Sequence, residues 1–169
     1  MGAGDDLATK RGQLDAKYPD DEGQDYLADW HGEEDFRINE TARIMYAGLA
    51  ISTASHIESC FEGFGKRCGI TLPDRANWGM KKERLEERIG GKDCLSSVSG
   101  NEDAKRVRLL GNCFKHNDGK TNAEFVQAFG GTVGDEIDYE REPWDELITS
   151  VGRFLHEVFK MARHHWPER

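Results

Sequence analysis

The chain has 169 residues, of which 37% are hydrophobic and 33% are charged. This length suffices for one domain with a buried core, and the apolar fraction excludes a wholly disordered chain. The net charge of -9 repels phosphate backbones and anionic membranes, so a nucleic-acid site would need a local basic patch.

The first forty residues are strongly acidic and contain two weak helical patterns, about Asp5 to Lys17 and Gln24 to Trp30. The proline of Tyr18-Pro19 disfavours helix at the residue before it, which ends the first pattern. We therefore predict an acidic helical extension over residues 1–36 and a helical bundle over residues 37–169.

The strongest predicted helix runs from about Asn39 to Cys68. Its broad apolar face is interleaved with alanine, glycine and serine, which predicts that other helices approach it closely. A charged helix follows from about Arg75 to Ile89, with Asp74 as its N-cap and Gly90-Gly91 at its end.

Three further segments complete the pattern. A helix is predicted from about Asn101 to Lys115, and the glycine-rich segment Asp118 to Glu142 fits a loop with a helical turn or a small hairpin. Pro143 suits the first turn of a final helix that extends to about His165. No long alternating apolar pattern indicates a sheet, so the fold class is predicted as all-α with five or six helices.

The cysteines give no sign of a metal site or a disulfide framework. They lack CxxC pairs and companion histidines at zinc-finger spacing, so we expect reduced, mostly buried thiols at Cys60, Cys68, Cys94 and Cys113. The N-terminus has no apolar core of signal-peptide length, and no stretch approaches the ~20 apolar residues that span a bilayer. A cytoplasmic protein without a membrane partner is expected.

One polar stripe could carry chemistry. Arg108, Asn112 and His116 are spaced four apart on the helix Asn101 to Lys115, with Lys105 close by. His116 precedes the turn residues of Asn117-Asp118-Gly119 and so lies at the helix C-terminus, where the dipole favours its protonated form. A histidine that titrates near neutral pH beside a fixed cation suits general acid-base cleavage of a phosphodiester.

RNA supplies its own 2′-hydroxyl nucleophile, so this chemistry needs no metal or other cofactor. His116 would transfer the proton, Arg108 would hold the phosphate and Asn112 would position it. The simpler alternative, which spacing alone favours, is that His116 and Asn112 cap the helix end and Arg108 is a solvated surface residue.

The segment RLLGNCFKHNDG, preceded by IESCFEGFG and followed by WDELITSVGRFLHEVF, resembles the HEPN superfamily over roughly residues 39–165. The hallmark of that family is an Arg, four to six intervening residues and a His near the end of a bundle helix, often with a polar residue directly after the Arg. The resemblance implies an up-and-down helical bundle that dimerises so that two motifs meet in a cleft. Many such domains are metal-independent ribonucleases of toxin–antitoxin and anti-phage systems.

The match is uneven along the motif. His116 fits the family histidine, Asn117 and Gly119 fit the turn after it, and Asn112 fits the polar position. Gly111 stands where the arginine is expected, and seven residues separate the nearest arginine, Arg108, from His116. Either Arg108 reaches in from one helical turn away, or the site is degraded and the domain is a binding module.

Other residues are candidates for supporting roles. Glu58 resembles an acidic position that many of these domains place beside the motif, where it would orient His116 or Arg108; equally, it is a boundary carboxylate. Lys105, Lys115 and Asn117 are candidate substrate-binding residues. His56 is expected to be a hydrogen-bonded core or boundary residue.

Two main hypotheses follow. The first is a HEPN-like, metal-independent endoribonuclease, a homodimer acting on RNA as a toxin or anti-phage effector. The alternative is a non-catalytic HEPN-like module that binds a nucleotide, RNA or a cognate protein partner. A third class, a structural subunit of a larger assembly, would show a large exposed apolar face outside the surface from Arg108 to His116.

Overall fold

The computed structural model describes residues 21–73, 76–139 and 141–167, with side chains from residue 32 onward. These residues form five α-helices and one 3-10 helix, which confirms the all-α prediction. The helices are α1 (Asp21–Arg67), α2 (Trp78–Ile89), a 3-10 helix (Cys94–Ser97), α3 (Asn101–Asn117), α4 (Ala123–Phe129) and α5 (Trp144–Arg163). The predicted helix from Asp5 to Lys17 lies outside the described residues.

Helix α1 corrects one sequence prediction. The patterns at Gln24 to Trp30 and Asn39 to Cys68 belong to a single helix, Asp21–Arg67, without a break between them. The intervening segment, residues 31–38, contains no proline, and its one glycine weakens a helix by only about 1 kcal/mol. Exposed ion pairs such as Arg37 with Glu33 support this polar part of the helix.

The chain divides into two compact units, Met1–Ile44 and Met45–Arg169. The predicted extension, residues 1–36, falls within the first unit. The described part of that unit is helical and exposes three large apolar side chains, those of Phe36, Ile38 and Ile44.

The second unit contains the hydrophobic core, in which α3 packs against both α5 and α4. One cluster centres on Phe61 of α1 and Phe154 of α5, whose rings lie 6.1 Å apart. A second cluster surrounds Leu110 and Cys113 of α3, and there Trp144 stacks on Tyr46 at 5.5 Å. Helix α3 is therefore held on several sides, and this fixes where its polar residues lie.

The helix ends follow local side-chain chemistry. Helix α2 begins at Trp78 after an Asn77 cap, whose Oδ1 accepts the Met80 backbone N–H at 2.9 Å, and it ends at Gly90 as predicted. The predicted cap Asp74 lies outside the described residues. Helix α3 runs two residues further than predicted, to Asn117, because Asp118 adopts the left-handed conformation that terminates it.

The segment between α3 and α5 contains a short helix, α4, which agrees with the interpretation of this segment as a loop with a helical turn. Asn122 caps α4 through its side chain, which accepts the Phe125 N–H at 2.9 Å. An isolated antiparallel bridge between Lys120 and Glu136 joins the two sides of the segment. None of the helices in the described ranges has the length and apolar character needed to cross a bilayer.

The four cysteines are free thiols. Cys68 and Cys113 are buried, whereas Cys60 and Cys94 are half-buried. Burial raises the pKa of all four thiols, which keeps them protonated and poorly nucleophilic.

Candidate functional site: the polar stripe of helix α3

The polar stripe of Arg108, Asn112 and His116 runs from the core to the solvent. Arg108 is only 6% exposed, Asn112 is half-buried and His116 is exposed. Eight residues at the helical rise place Arg108 and His116 about 12 Å apart along the axis. The Arg108 guanidinium is engaged by Glu124 and lies over the Trp78 ring, so in this arrangement it is not free to bind a phosphate beside His116.

Contacts with two other helices hold the Arg108 guanidinium. Its Nη2 donates to Glu124 Oε1 of α4 at 2.6 Å, and its Cζ lies 5.4 Å from the centre of the Trp78 ring of α2. Its Nε is buried and has no hydrogen-bond partner among the described residues. The interpretation of Arg108 as a solvated surface residue is therefore wrong, and its charge is already neutralised by a carboxylate.

Gly111 lies at a close crossing of α3 over α1. A Cβ at this position would be 2.6 Å from the Ala54 Cβ and 2.9 Å from the Ala50 carbonyl oxygen. Neither atom is the flexible end of a side chain, so even a methyl group requires the backbones to move. The crossing confirms the close approach predicted from the small residues of α1, and it leaves no room for an arginine side chain at this position.

Glu58 pairs with a residue of α2. Its Oε2 lies 3.5 Å from Lys81 Nζ, and Lys81 pairs with Glu62 as well. Burial disfavours the charge of Lys81, but its hydrogen bond to Glu62 and the charges of both carboxylates outweigh burial and raise the pKa of Lys81. These contacts join Glu58 to Lys81 and not to His116 or Arg108, so they give no support to the predicted role of Glu58 in orienting either residue.

The candidate substrate-binding residues are spread along α3. Lys105 pairs with Glu102 at 3.7 Å and lies 5.7 Å from the Phe129 ring centre, about 17 Å along the axis from His116. Lys115 is exposed beside His116, and Asn117 closes the helix with its carbonyl oxygen accepting the Lys120 N–H at 3.0 Å. Of the three candidate substrate-binding residues, Lys115 and Asn117 lie next to His116 along α3, and Lys105 does not.

His56 differs from its predicted setting. It is exposed on α1, and its Nε2 lies within hydrogen-bond distance, 3.5 Å, of Cys60 Sγ. The expected hydrogen bond is present, but the expected burial is not. Among the described residues, no three His, Cys, Asp or Glu side chains are arranged to hold a metal ion.

Two partners of the stripe were not identified from the sequence: Glu124 and Trp78. Glu124 follows the Asn122 cap, a pattern that predicts a helix start but gives no partner for the carboxylate. Trp78 begins α2, where its ring contacts both Arg108 and Phe61. Both contacts join different helices, so no local spacing could reveal them.

The chain was compared with protein-family models, curated proteins and solved structures, and none of them matches it.

Proposed function

We propose that this chain is a cytoplasmic, HEPN-like interaction module that binds a partner protein and does not itself cleave RNA. The observation that carries the proposal is the burial of Arg108 in an ion pair with Glu124. Cleavage of a phosphodiester needs a cation where negative charge develops. Within the motif, the one arginine is engaged in the core, and the position of the missing arginine is closed by α1.

Arg108 is equally buried in a second copy of the chain, so association of two copies would not by itself free this arginine. To release it, the Glu124 ion pair must break and the guanidinium must leave the Trp78 ring. The carboxylate left behind, Glu124, is 58% exposed, so the cost of release is mainly that of the charged hydrogen bond, about 1.5–3 kcal/mol.

Electrostatics favour a protein partner over RNA. The net charge of -9 opposes approach of a polyanion. At the exposed end of the stripe, Lys115 and Lys120 are accompanied by the carboxylate of Glu136 on the opposite side of the bridge. This arrangement lacks the continuous basic surface that follows a nucleic-acid backbone.

The decisive experiment is incubation of a mixed RNA pool with wild type and His116→Ala in EDTA, with circular dichroism as the folding control. Both proteins are expected to leave the RNA intact. Cleavage by wild type that disappears in His116→Ala would refute the proposal. It would instead support a metal-independent ribonuclease.

The ribonuclease remains the second candidate because His116 is exposed and shares its stripe with Asn112. A toxin or anti-phage effector of this kind should harm cells that express it, and His116→Ala should relieve the harm. The interaction module should be tolerated in both forms, so the growth of expressing cells distinguishes the two functions.

A further inference from the structure

The last turns of three helices meet at one end of the second unit. Cys68, which directly follows α1, donates from its Sγ to the Ala162 carbonyl oxygen of α5 at 3.4 Å. The Cys68 carbonyl oxygen accepts the Nε–H of Arg88, in the last turn of α2, at 3.3 Å. The Trp166 ring, which follows α5, lies 4.8 Å from the Cζ of Arg67, the last residue of α1. These contacts bring the C-terminal ends of α1, α2 and α5 together.

Four cations occupy this end of the unit. They are Lys66 and Arg67 of α1, Arg88 of α2 and Arg163 of α5, and all four are exposed. Within the described part of the chain, none of the four forms an ion pair with a carboxylate. We call these four residues the basic end.

The carboxylates nearest to the basic end along the same helices are paired elsewhere. Three lie within one helical turn of a basic-end residue, and each pairs with a cation outside it: Glu62 with Lys81, Glu86 with Lys82 and Glu87 with Arg84. A helix C-terminus carries about half a negative charge, so three of them offset about 1.5 of the four positive charges. The basic end therefore keeps a local surplus of positive charge in a chain whose net charge is -9.

Two guanidinium groups of the basic end are held in place by the fold. Arg67 lies against the Trp166 ring, and that ring packs edge-on against Phe159 at 5.5 Å. Arg88 is fixed by the bond from its Nε to the Cys68 carbonyl oxygen, which leaves its two terminal nitrogens for another partner. A guanidinium binds a carboxylate through two parallel N–H bonds, and a group that is already held loses less entropy on binding.

We propose that the basic end binds a short acidic segment of the partner protein, in which about three Asp or Glu side chains are clustered. Three carboxylates complement the surplus charge that remains after the helix dipoles are taken into account. The inference rests on the proposed function, for which it names the chemistry of the partner.

The length of the ligand favours an acidic peptide over a nucleic acid. Exposed charges more than ~8 Å apart are largely screened at physiological salt, so a short segment that stays on the basic end responds to the positive charge there. A nucleic-acid strand extends further and places its other phosphates over a protein with a net charge of -9. Strand binding typically uses a positively charged groove that follows the backbone, whereas the basic end is a group of four cations at three helix ends.

The test is the binding of a fluorescein-labelled hexaglutamate peptide to the full chain, followed by fluorescence anisotropy at low ionic strength. A labelled oligouridylate with six phosphates presents a nucleic acid of equal charge, and a labelled hexaglutamine peptide controls for the fluorophore. Lys66→Gln/Arg163→Gln removes two exposed cations of the basic end whose side chains hydrogen-bond to no other described residue. The fold of this variant is therefore expected to be unchanged by circular dichroism.

The matched control is Arg141→Gln/Arg153→Gln, which removes two exposed cations outside the basic end. Arg153 lies about 15 Å from Arg163 along the axis of α5. Both variants make the net charge more negative by two, so they change the overall field of the protein equally.

Wild type and the Arg141/Arg153 variant are expected to bind hexaglutamate more tightly than the oligouridylate. The Lys66/Arg163 variant is expected to bind the peptide roughly tenfold more weakly, because two exposed ion pairs are lost. The inference would be overturned by a wild type that binds hexaglutamate no better than hexaglutamine, or by equal peptide affinities of the two variants. Tighter binding of the oligouridylate would also overturn it and would make the basic end a nucleic-acid interface.

The RNA cleavage experiment separates this inference from the proposed function. RNA cleavage by a protein that binds hexaglutamate through the basic end would refute the proposed function alone. Intact RNA with a wild type that does not bind hexaglutamate would refute this inference alone.

Discussion

Replacing Gly111 by alanine tests the close crossing of α3 and α1 on which the functional argument depends. The new methyl group would lie 2.6 Å from the Ala54 Cβ and 2.9 Å from the Ala50 carbonyl oxygen. Overpacking of this kind costs about 1–3 kcal/mol, and we expect the upper part of that range because neither neighbour can rotate away. Alanine has a higher helix propensity than glycine, which stabilises the helix by about 1 kcal/mol. The free energy of unfolding is therefore expected to fall by about 2 kcal/mol in total.

The matched control is Gly63→Ala, at an exposed helical glycine where a Cβ would meet nothing within 4 Å. Here only helix propensity changes, and a gain of about 0.5–1 kcal/mol is expected. Urea unfolding followed by circular dichroism at sub-micromolar protein concentration measures both variants without a contribution from association. If Gly111→Ala is as stable as wild type or gains stability as Gly63→Ala does, the crossing is not as close as described. The steric argument that position 111 has no room for an arginine would then be wrong.

Three further outcomes are expected from urea unfolding. Glu124→Gln removes the counter-charge of buried Arg108 and should lower the free energy of unfolding by about 1–2 kcal/mol; no change would show that the pair is unimportant. Arg106→Lys should lose a similar amount, since lysine cannot reproduce the two bonds of 2.6 and 2.9 Å to Glu142. The raised pKa of Lys81 means that its contribution is complete below the ordinary lysine pKa of about 10.4 and is lost as pH rises through the higher folded value. Lys81→Met should therefore lose less stability than wild type between neutral and strongly alkaline pH.

Much of the fold was readable from the sequence because the helices bury one face. The stripe of α5, with Leu147, Val151, Leu155 and Val158, predicted that helix to within two residues of its observed end. Hydrophobic periodicity reports burial, and the large apolar side chains of residues 31–38, Phe36 and Ile38, are exposed. The pattern therefore predicts an interruption in the first half of α1 where the helix in fact continues. A polar helix stabilised by exposed ion pairs leaves only a weak signal in such a pattern.

The candidate site was predicted less well because its contacts join distant parts of the chain. Local spacing placed Arg108, Asn112 and His116 on one stripe, but it could not show that Arg108 is buried. The partner of Arg108, Glu124, lies sixteen residues away on α4, within a glycine-rich segment that has little helical periodicity. The sequence shows that Gly111 differs from the motif. It does not show which residues of α1 lie opposite Gly111, and these residues determine how much space the position has.

Positions 108 and 111, at which the chain differs from the HEPN motif that its sequence resembles, are both fixed by the packing of α3. At position 111, α3 touches α1 so closely that a single methyl group already meets the Ala54 Cβ and the Ala50 carbonyl oxygen, and the second of these belongs to the backbone. At position 108, the arginine is close to α2 and α4, where Trp78 and Glu124 engage it. Restoring an arginine at position 111 would therefore require the axis of α3 to move away from α1. The same movement would disturb the packing of Leu110 and Cys113 in the adjacent core cluster. The engaged Arg108 and the closed position 111 are thus consequences of the same helix packing, and they are the two observations on which the proposed binding function depends.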